Sequence, residues 1–137
     1  MIAFAIAELQ HAVAKYAHAL DELDVPGLEA VLTEDTRWTF TMPGRGVPGP
    51  VAGRAAVLDF VREGHAARTG RVRHHLGNVA VTTTDAATAE VRACVVQTEN
   101  NGESARTIST GVYTFGLRRS DGGWRIAELA LALDNAL

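Results

Sequence analysis

Two side chains suited to proton transfer, Asp21 and His74, stand far apart in this sequence. A carboxylate that accepts a hydrogen bond from one imidazole nitrogen fixes the ring tautomer and stabilises the imidazolium. The other ring nitrogen is then left as a base near neutral pH. If the fold brings Asp21 and His74 together, the pair predicts an enzyme that removes a proton beside a carbonyl or a leaving group. That chemistry suits elimination, isomerisation or aldol-type cyclisation, and it requires no metal or organic cofactor.

Each of these residues also has a purely structural interpretation. Asp21 could be exposed and help to end its helix, where the helix dipole disfavours an anion by roughly 0.3–1 kcal/mol. His74 could be a core histidine that donates to a backbone carbonyl. Tyr16 could donate a hydrogen bond to a developing oxyanion, or it could be an ordinary core aromatic on the same helix face as Leu20.

The element that must carry Asp21 is an amphipathic helix over about residues 3–23, predicted from apolar residues at helical spacing. Asp24 is suited to cap a second short helix, and a third helix is predicted over about 54–67. Residues 37–42 alternate as a strand does, and the Gly- and Pro-rich residues 43–53 indicate a long loop. Turn residues separate four further predicted strands, at about 72–83, 87–98, 105–118 and 123–133.

Helices followed by a run of antiparallel strands predict an α+β fold. We expect a cone-shaped α+β barrel, in which three N-terminal helices pack on a curved, mostly antiparallel sheet and a small-molecule pocket lies inside the cone. On strand alternation, His74 shares a face with Leu76 and Asn78. Side chains predicted to contact a substrate there are Asn78, Trp38, Phe40, Gln97 and Thr98, with at least one of the last two facing the pocket.

The bulk composition excludes several other classes of protein. A length of 137 residues predicts one domain, 1–137, and the net charge of −3 without a basic stripe argues against a nucleic-acid partner. Cys94 is the only cysteine, so neither an internal disulfide nor a cysteine metal site is predicted, and a reducing cytoplasmic setting is favoured. No apolar stretch approaches a membrane span, and no signal peptide is indicated.

Five stretches of the chain, in order, resemble the SnoaL-like branch of the nuclear transport factor 2-like superfamily. They run from Tyr16 to Asp24, Leu32 to Trp38, Gly53 to Val57, Arg73 to Val79 and Gly111 to Ile126. Within that superfamily the pattern is most similar to scytalone dehydratase, lindane dehydrochlorinase and bile acid dehydratase, which pair an Asp on the first helix with a His on a sheet strand.

The resemblance implies a cofactor-independent lyase or isomerase in which His74 is the general base, Asp21 its partner and Tyr16 a pocket tyrosine. His74 is preferred over His75 because the family histidine precedes a strand Asn by four residues, here Asn78. The substrate would be a hydrophobic metabolite, and the chain would form a homodimer, or a trimer as some relatives do. Two departures matter. The second pocket histidine of scytalone dehydratase is absent, and Phe40 stands where the ketosteroid isomerase branch has its catalytic Asp.

Two alternatives stay open at this stage. A polyketide cyclase or epoxide hydrolase of the same fold would use other pocket acids. A non-catalytic ligand-binding or dimerisation domain would keep the fold without the chemistry.

Overall fold

Two helices begin the chain in the computed structural model, which describes residues 2–45, 49–121 and 123–137, and a third helix lies between the second and third strands. The helices are α1 (Ile2–Glu22), α2 (Val25–Val31) and α3 (Arg54–Ala66). The strands are β1 (Leu32–Thr41), β2 (Val51–Ala52), β3 (Arg71–Thr84), β4 (Thr88–Asn100), β5 (Ala105–Ser120) and β6 (Gly123–Leu133). The α+β class and the three helices on a curved, mostly antiparallel sheet confirm the prediction; the sheet remains unclosed.

The helices form where the sequence favours them. One face of α1 is buried, and its core residues recur at helical spacing as Leu9, Val13, Tyr16 and Leu20. The helix ends where Leu23 adopts a left-handed φ of 51°. Asp24 then begins α2, because its carboxylate accepts a hydrogen bond from the Gly27 amide at 3.1 Å. That cap contributes about 1 kcal/mol, as Ncap side chains typically do.

The described strands form one sheet in the order β2-β1-β6-β5-β4-β3, in which β1 and β6 are the parallel pair. Strands β3 to β6 follow one another as antiparallel neighbours. Asp85 closes the first of their turns by accepting from the amides of Ala87 and Thr88. In β5, Gly111 lies so close to the Ala132 carbonyl that a side chain would not fit. Long antiparallel strands therefore pack tightly enough to hold a curved sheet against α1.

The first strand region differs from the prediction. β1 begins at Leu32 rather than Arg37, with an irregular register between those two residues. The predicted loop 43–53 contains the short strand β2, which pairs Val51 with Trp38. Two residues are too few for any hydrophobic period, so the sequence carries no signal for β2. Residues 46–48 of the same loop lie outside the described part of the chain.

The concave face of the sheet supplies most of the core, and α1 lies across it. Alternate residues of β4 and β5 point to that face and are buried: Val91, Ala93, Val95, Gln97, Ser109, Gly111, Tyr113, Phe115 and Leu117. The intervening residues of these strands are mostly more exposed. The last turn of α1, where Asp21 lies, packs on β3 at the edge of this face.

Candidate active site

Asp21 and His74 form a directly bonded pair. The two residues meet because the last turn of α1 packs on β3. Asp21 Oδ1 lies 2.6 Å from His74 Nδ1, and Asp21 Oδ2 accepts the backbone N–H of His74 at 2.9 Å. Both side chains are almost fully buried, with 6% and 7% of their surfaces exposed. The alternative of a solvent-exposed Asp21 is therefore wrong.

The tautomer of His74 follows from this geometry. An ionised carboxylate can only accept hydrogen bonds, so Nδ1 must carry the proton that the short contact requires. Nε2 has no hydrogen-bond partner among the described residues, so in the neutral ring it is an unoccupied base. The second bond, from the backbone N–H of His74 to Oδ2, fixes the orientation of the carboxylate relative to the ring. Asp21 is thus held by two bonds that offset its unfavourable position at a helix C-terminus.

His74 lines a cavity of about 320 Å³ inside the curved sheet. The lining is mainly aromatic and aliphatic, and it is contributed by α1, β1, α3 and the four strands β3 to β6. Its aromatic members are Tyr16, Trp38, Phe40, Phe60 and Tyr113. Trp38 and Phe40 meet edge to face with ring centres 6.2 Å apart, and Phe40 stacks on Phe60 at 5.2 Å. A cavity of this size and apolarity suits a ligand of one to three rings.

A pair of tyrosines forms one wall of the cavity. The hydroxyl oxygens of Tyr16 and Tyr113 lie 3.0 Å apart in a hydrogen bond, and both rings are 1% exposed. Whichever hydroxyl donates in this pair, the other keeps a proton that it can donate elsewhere. Burial raises the pKa of Tyr16 well above its ordinary value, and burial also raises that of Tyr113. Both hydroxyls are therefore hydrogen-bond donors, not bases, at physiological pH.

The raised pKa values predict how stability responds to alkali. Below about pH 10 the tyrosines are neutral in both the folded and the unfolded chain, so they add no pH dependence. Above that pH only the unfolded chain ionises them, and we expect the free energy of unfolding to fall by up to about 1.4 kcal/mol per pH unit for each tyrosine. Urea unfolding at pH 9, 10 and 11 measures this. The chain has two tyrosines in all, so the rise in absorbance near 295 nm that accompanies tyrosine ionisation reports on this pair alone. Tyrosinate absorbance in the folded protein near pH 10 would contradict the prediction.

The other predicted contact residues divide into two groups. Trp38, Phe40 and Gln97 line the cavity, and Gln97 lies directly beside His74 in the β3–β4 ladder. Thr98 instead bonds His75 Nε2 at 2.9 Å at an exposed position. The expectation that at least one of Gln97 and Thr98 faces the pocket is confirmed by Gln97.

Asn78 does not share the face of His74, contrary to the expectation. The register of β3 slips between Gly77 and Ala80, and Asn78 takes a left-handed φ of 51° within this bulge. Its exposed side chain lies 3.8 Å from the sulfur of Cys94. A bulge reverses the alternation of side chains, so the simple period-two argument fails after His74 and Leu76.

Among the cavity residues that the sequence-based reasoning missed, two have polar side chains. Tyr113 alternates with Phe115 on the concave face of β5, a pattern that marks it as inward but not as functional. Arg68 lines the cavity from just beyond the end of α3. A single arginine after a helix has no distinguishing sequence pattern.

The described residues contain neither a membrane-spanning helix nor a metal-binding cluster. No helix there combines the length and apolarity needed to cross a membrane. Within the same residues, no group of three or more His, Cys, Asp or Glu side chains is placed to hold a metal ion.

Solved structures with this architecture come from several bacteria. A protein of unknown function from Mycobacterium tuberculosis, Rv3472, is 27% identical, with a TM-score of 0.81 over 98% of this chain and 74% of that one. A candidate aromatic ring hydroxylase from Novosphingobium aromaticivorans is 30% identical, with a TM-score of 0.75 over 96% of this chain and 89% of that one. A candidate scytalone dehydratase from the same bacterium is 21% identical, with a TM-score of 0.76 over 95% and 84%.

No curated protein matches the chain. The SnoaL-like domain family does match, over residues 3–130. This match covers nearly the whole chain, and one neighbour with this architecture, from Novosphingobium aromaticivorans, is described as NTF2-like with a cystatin-like fold. The protein therefore belongs to the SnoaL-like domain family.

Proposed function

We propose that this protein is a cofactor-independent lyase or isomerase that removes a proton from carbon in a small hydrophobic metabolite. The observation that carries the proposal is the buried Asp21–His74 pair, which leaves Nε2 of a cavity-lining imidazole as the free base. A core histidine with no chemical role would need neither a charged partner nor a place on a cavity wall. This arrangement is what a general base requires.

The proposed reaction begins when His74 Nε2 takes a proton from a carbon beside a carbonyl. The electrons of the C–H bond form a C=C bond, and the carbonyl oxygen becomes an enolate oxygen. Asp21 stabilises the resulting imidazolium. In an elimination, the enolate re-forms its carbonyl and its C=C electrons shift to the next carbon as the C–O bond there breaks, and the imidazolium gives its proton to the departing hydroxyl. In an isomerisation, the imidazolium returns its proton to another carbon as the carbonyl re-forms.

The tyrosine pair is suited to the oxygen on which charge develops. Tyr16 and Tyr113 together always have one hydroxyl proton that their mutual bond does not use. A donor of this kind inside an apolar cavity stabilises a developing anion more than water-exposed donors do. We therefore assign the electrophilic role to the pair rather than to Tyr16 alone. Gln97, beside His74, is assigned to substrate positioning.

The comparisons support the general class of function but no specific activity. The family includes ligand-binding domains and cofactor-independent enzymes, and the neighbours named for a dehydratase and an aromatic ring hydroxylase suggest a ring-containing ligand here. A cyclase or epoxide hydrolase with other pocket acids has less support, because the cavity lining within the described residues includes no Asp or Glu. A non-catalytic ligand-binding domain remains the second candidate, since it would use the same cavity.

Deuterium exchange tests the proton transfer without knowledge of the natural substrate. Two-ring ketones such as 2-tetralone, which fit the cavity, are incubated in D2O, and incorporation beside the carbonyl is followed by mass spectrometry. We expect wild type to accelerate exchange at least about 100-fold over His74→Ala, within the usual range for a general base. His75→Ala is the matched control, because it removes the imidazole of the next residue in the chain, which is exposed. Equal exchange by wild type and His74→Ala would contradict the proposed function.

The single domain over residues 1–137, the oligomeric state and the location stay predictions. A homodimer, or a trimer, is the expected oligomer, and one neighbour is the beta subunit of a candidate aromatic-ring-hydroxylating dioxygenase, so this fold does occur within larger assemblies. The cytoplasm is the expected location.

A further inference from the structure

Arg68 is a cation placed at the mouth of an apolar cavity. It follows the end of α3 by two residues and is half-buried. It lines the cavity around His74, and it also lines an adjoining polar cleft of about 490 Å³ together with Asp21 and Glu22. The side chain thus separates an apolar interior from a polar entrance.

The guanidinium of Arg68 has no hydrogen-bond or ion-pair partner among the described residues. Its neighbours Arg71 and Arg73 differ, because both bond the carboxylate of Glu22, at 3.2 and 2.6 Å. The carboxylate of Asp21 is occupied at both oxygens by His74. Arg68 is therefore the guanidinium at this entrance that the described carboxylates leave unbonded.

An unbonded, half-buried guanidinium is costly to keep. Its five N–H donors lose part of their hydration, and burial lowers the pKa of Arg68, although Asp21 opposes that change. The group remains a cation at neutral pH. With neutral imidazoles, the three arginines and two carboxylates at this entrance leave one positive charge in excess. A carboxylate is the partner that best matches the planar guanidinium, since it accepts two parallel hydrogen bonds.

We propose that Arg68 is the anion subsite of this cavity, and that the substrate is a ring-containing carboxylate. The apolar rings would occupy the interior against Trp38 and Phe40, and the carboxylate would bond Arg68 at the mouth. The described residues that line the cavity include no other permanently charged side chain. This inference deepens the proposed function by naming its substrate class. Binding of the carboxylate is independent of that function, but its turnover rests on it.

Calorimetric titration with two matched probes tests the subsite. The probes are 2-naphthoate and its neutral isostere 2-naphthamide, which differ chiefly in charge. We expect wild type to bind naphthoate at least tenfold more tightly than naphthamide, as a charge-assisted hydrogen bond implies. Arg68→Gln should bind the two probes about equally while keeping its affinity for naphthamide. Arg68→Lys should keep only part of the preference, since an ammonium lacks the planar fork.

Two further variants make the outcomes decisive. Arg62→Gln removes an exposed cation of α3 that pairs with Asp59, and it should leave the naphthoate preference unchanged. His74→Ala should also retain the preference, which separates the subsite from the catalytic proposal. A preference that survives in Arg68→Gln, or equal binding of both probes by wild type, would overturn the inference. A wild type that binds naphthoate selectively but exchanges no deuterium would leave the subsite intact and refute the proton-transfer function.

Discussion

Replacing Asp21 with Asn is expected to reverse the tautomer of His74 and to lower turnover by roughly 10⁴-fold. In the native pair, Asp21 Oδ1 accepts from Nδ1 and Oδ2 accepts from the backbone N–H of His74. The amide oxygen of Asn can replace only one of these acceptors. Its NH2 group must then occupy the position of the other carboxylate oxygen, where it can only donate a hydrogen bond.

The orientation of that amide follows from hydrogen-bond chemistry. The backbone N–H of His74 can only donate, so the amide oxygen must face it. The NH2 group then faces Nδ1, which has to become an acceptor. The ring proton therefore moves to Nε2, and the nitrogen that should act as the base is already protonated. The base is lost without removal of the imidazole.

Nitrogen-15 NMR of the imidazole ring measures this change directly. In wild type at a pH where the ring is neutral, we expect protonated Nδ1 and bare Nε2, and in Asp21→Asn the reverse. Asp24→Asn is the matched control, because it makes the same chemical change at an exposed helix cap where Asn serves as well as Asp. Turnover is compared in the deuterium-exchange assay. Protonated Nε2 in wild type would contradict the assigned roles.

The pairing of Asp21 with His74 could be anticipated from the sequence because it depends on features that sequence patterns report well. The position of Asp21 follows from the apolar period of α1, and the fold class follows from a helix-rich first half and a long run of strands after it. The choice of His74 over His75 came from the family resemblance, and the structure places His74 on the cavity and His75 at an exposed position. Secondary-structure period and element order thus located Asp21 and the fold class, whereas the family resemblance selected His74.

The rest of the site depends on local geometry that periodicity does not encode. The bulge at Asn78 reverses which side chains face inward, and nothing in the alternating pattern marks it. Arg68 lies outside any periodic element, so only the packing of α3 against β1 places it at the cavity. Tyr113 is distinguished from other inward-facing residues of β5 only by the bond of its hydroxyl to Tyr16. Each of these is a tertiary contact, not a property of a single segment.

The bond between Asp21 and His74 should also be visible in folding stability. Asp21→Ala removes two acceptors at once and leaves the backbone N–H and Nδ1–H of His74 without partners. A buried donor left unsatisfied costs about 1–3 kcal/mol, so we expect a loss of about 2–4 kcal/mol in the free energy of unfolding, reduced by relief of the unfavourable helix-dipole contact. His74→Ala should cost a similar amount, because it deprives a buried carboxylate of one of its two bonds.

The double variant separates a coupled pair from two independent losses. When both side chains are absent, the orphaned groups are reduced to one backbone N–H. The combined cost should then fall short of the sum of the two single costs by about 1.5–3 kcal/mol. Urea unfolding of the four proteins at pH 7 gives this coupling, provided the dependence on urea concentration is the same for all four.

The adjacent ion pair of Glu22 and Arg73 offers a matched cycle. It joins the same helix to the same strand at 2.6 Å, but both side chains are about half exposed. Water screens such a pair and replaces its partners when one is removed, so its coupling should be much smaller. Equal coupling energies in the two cycles would mean that burial does not strengthen the Asp21–His74 bond. The carboxylate would then be too weakly tied to the ring to fix its tautomer, and the argument for His74 as an oriented base would fail with it.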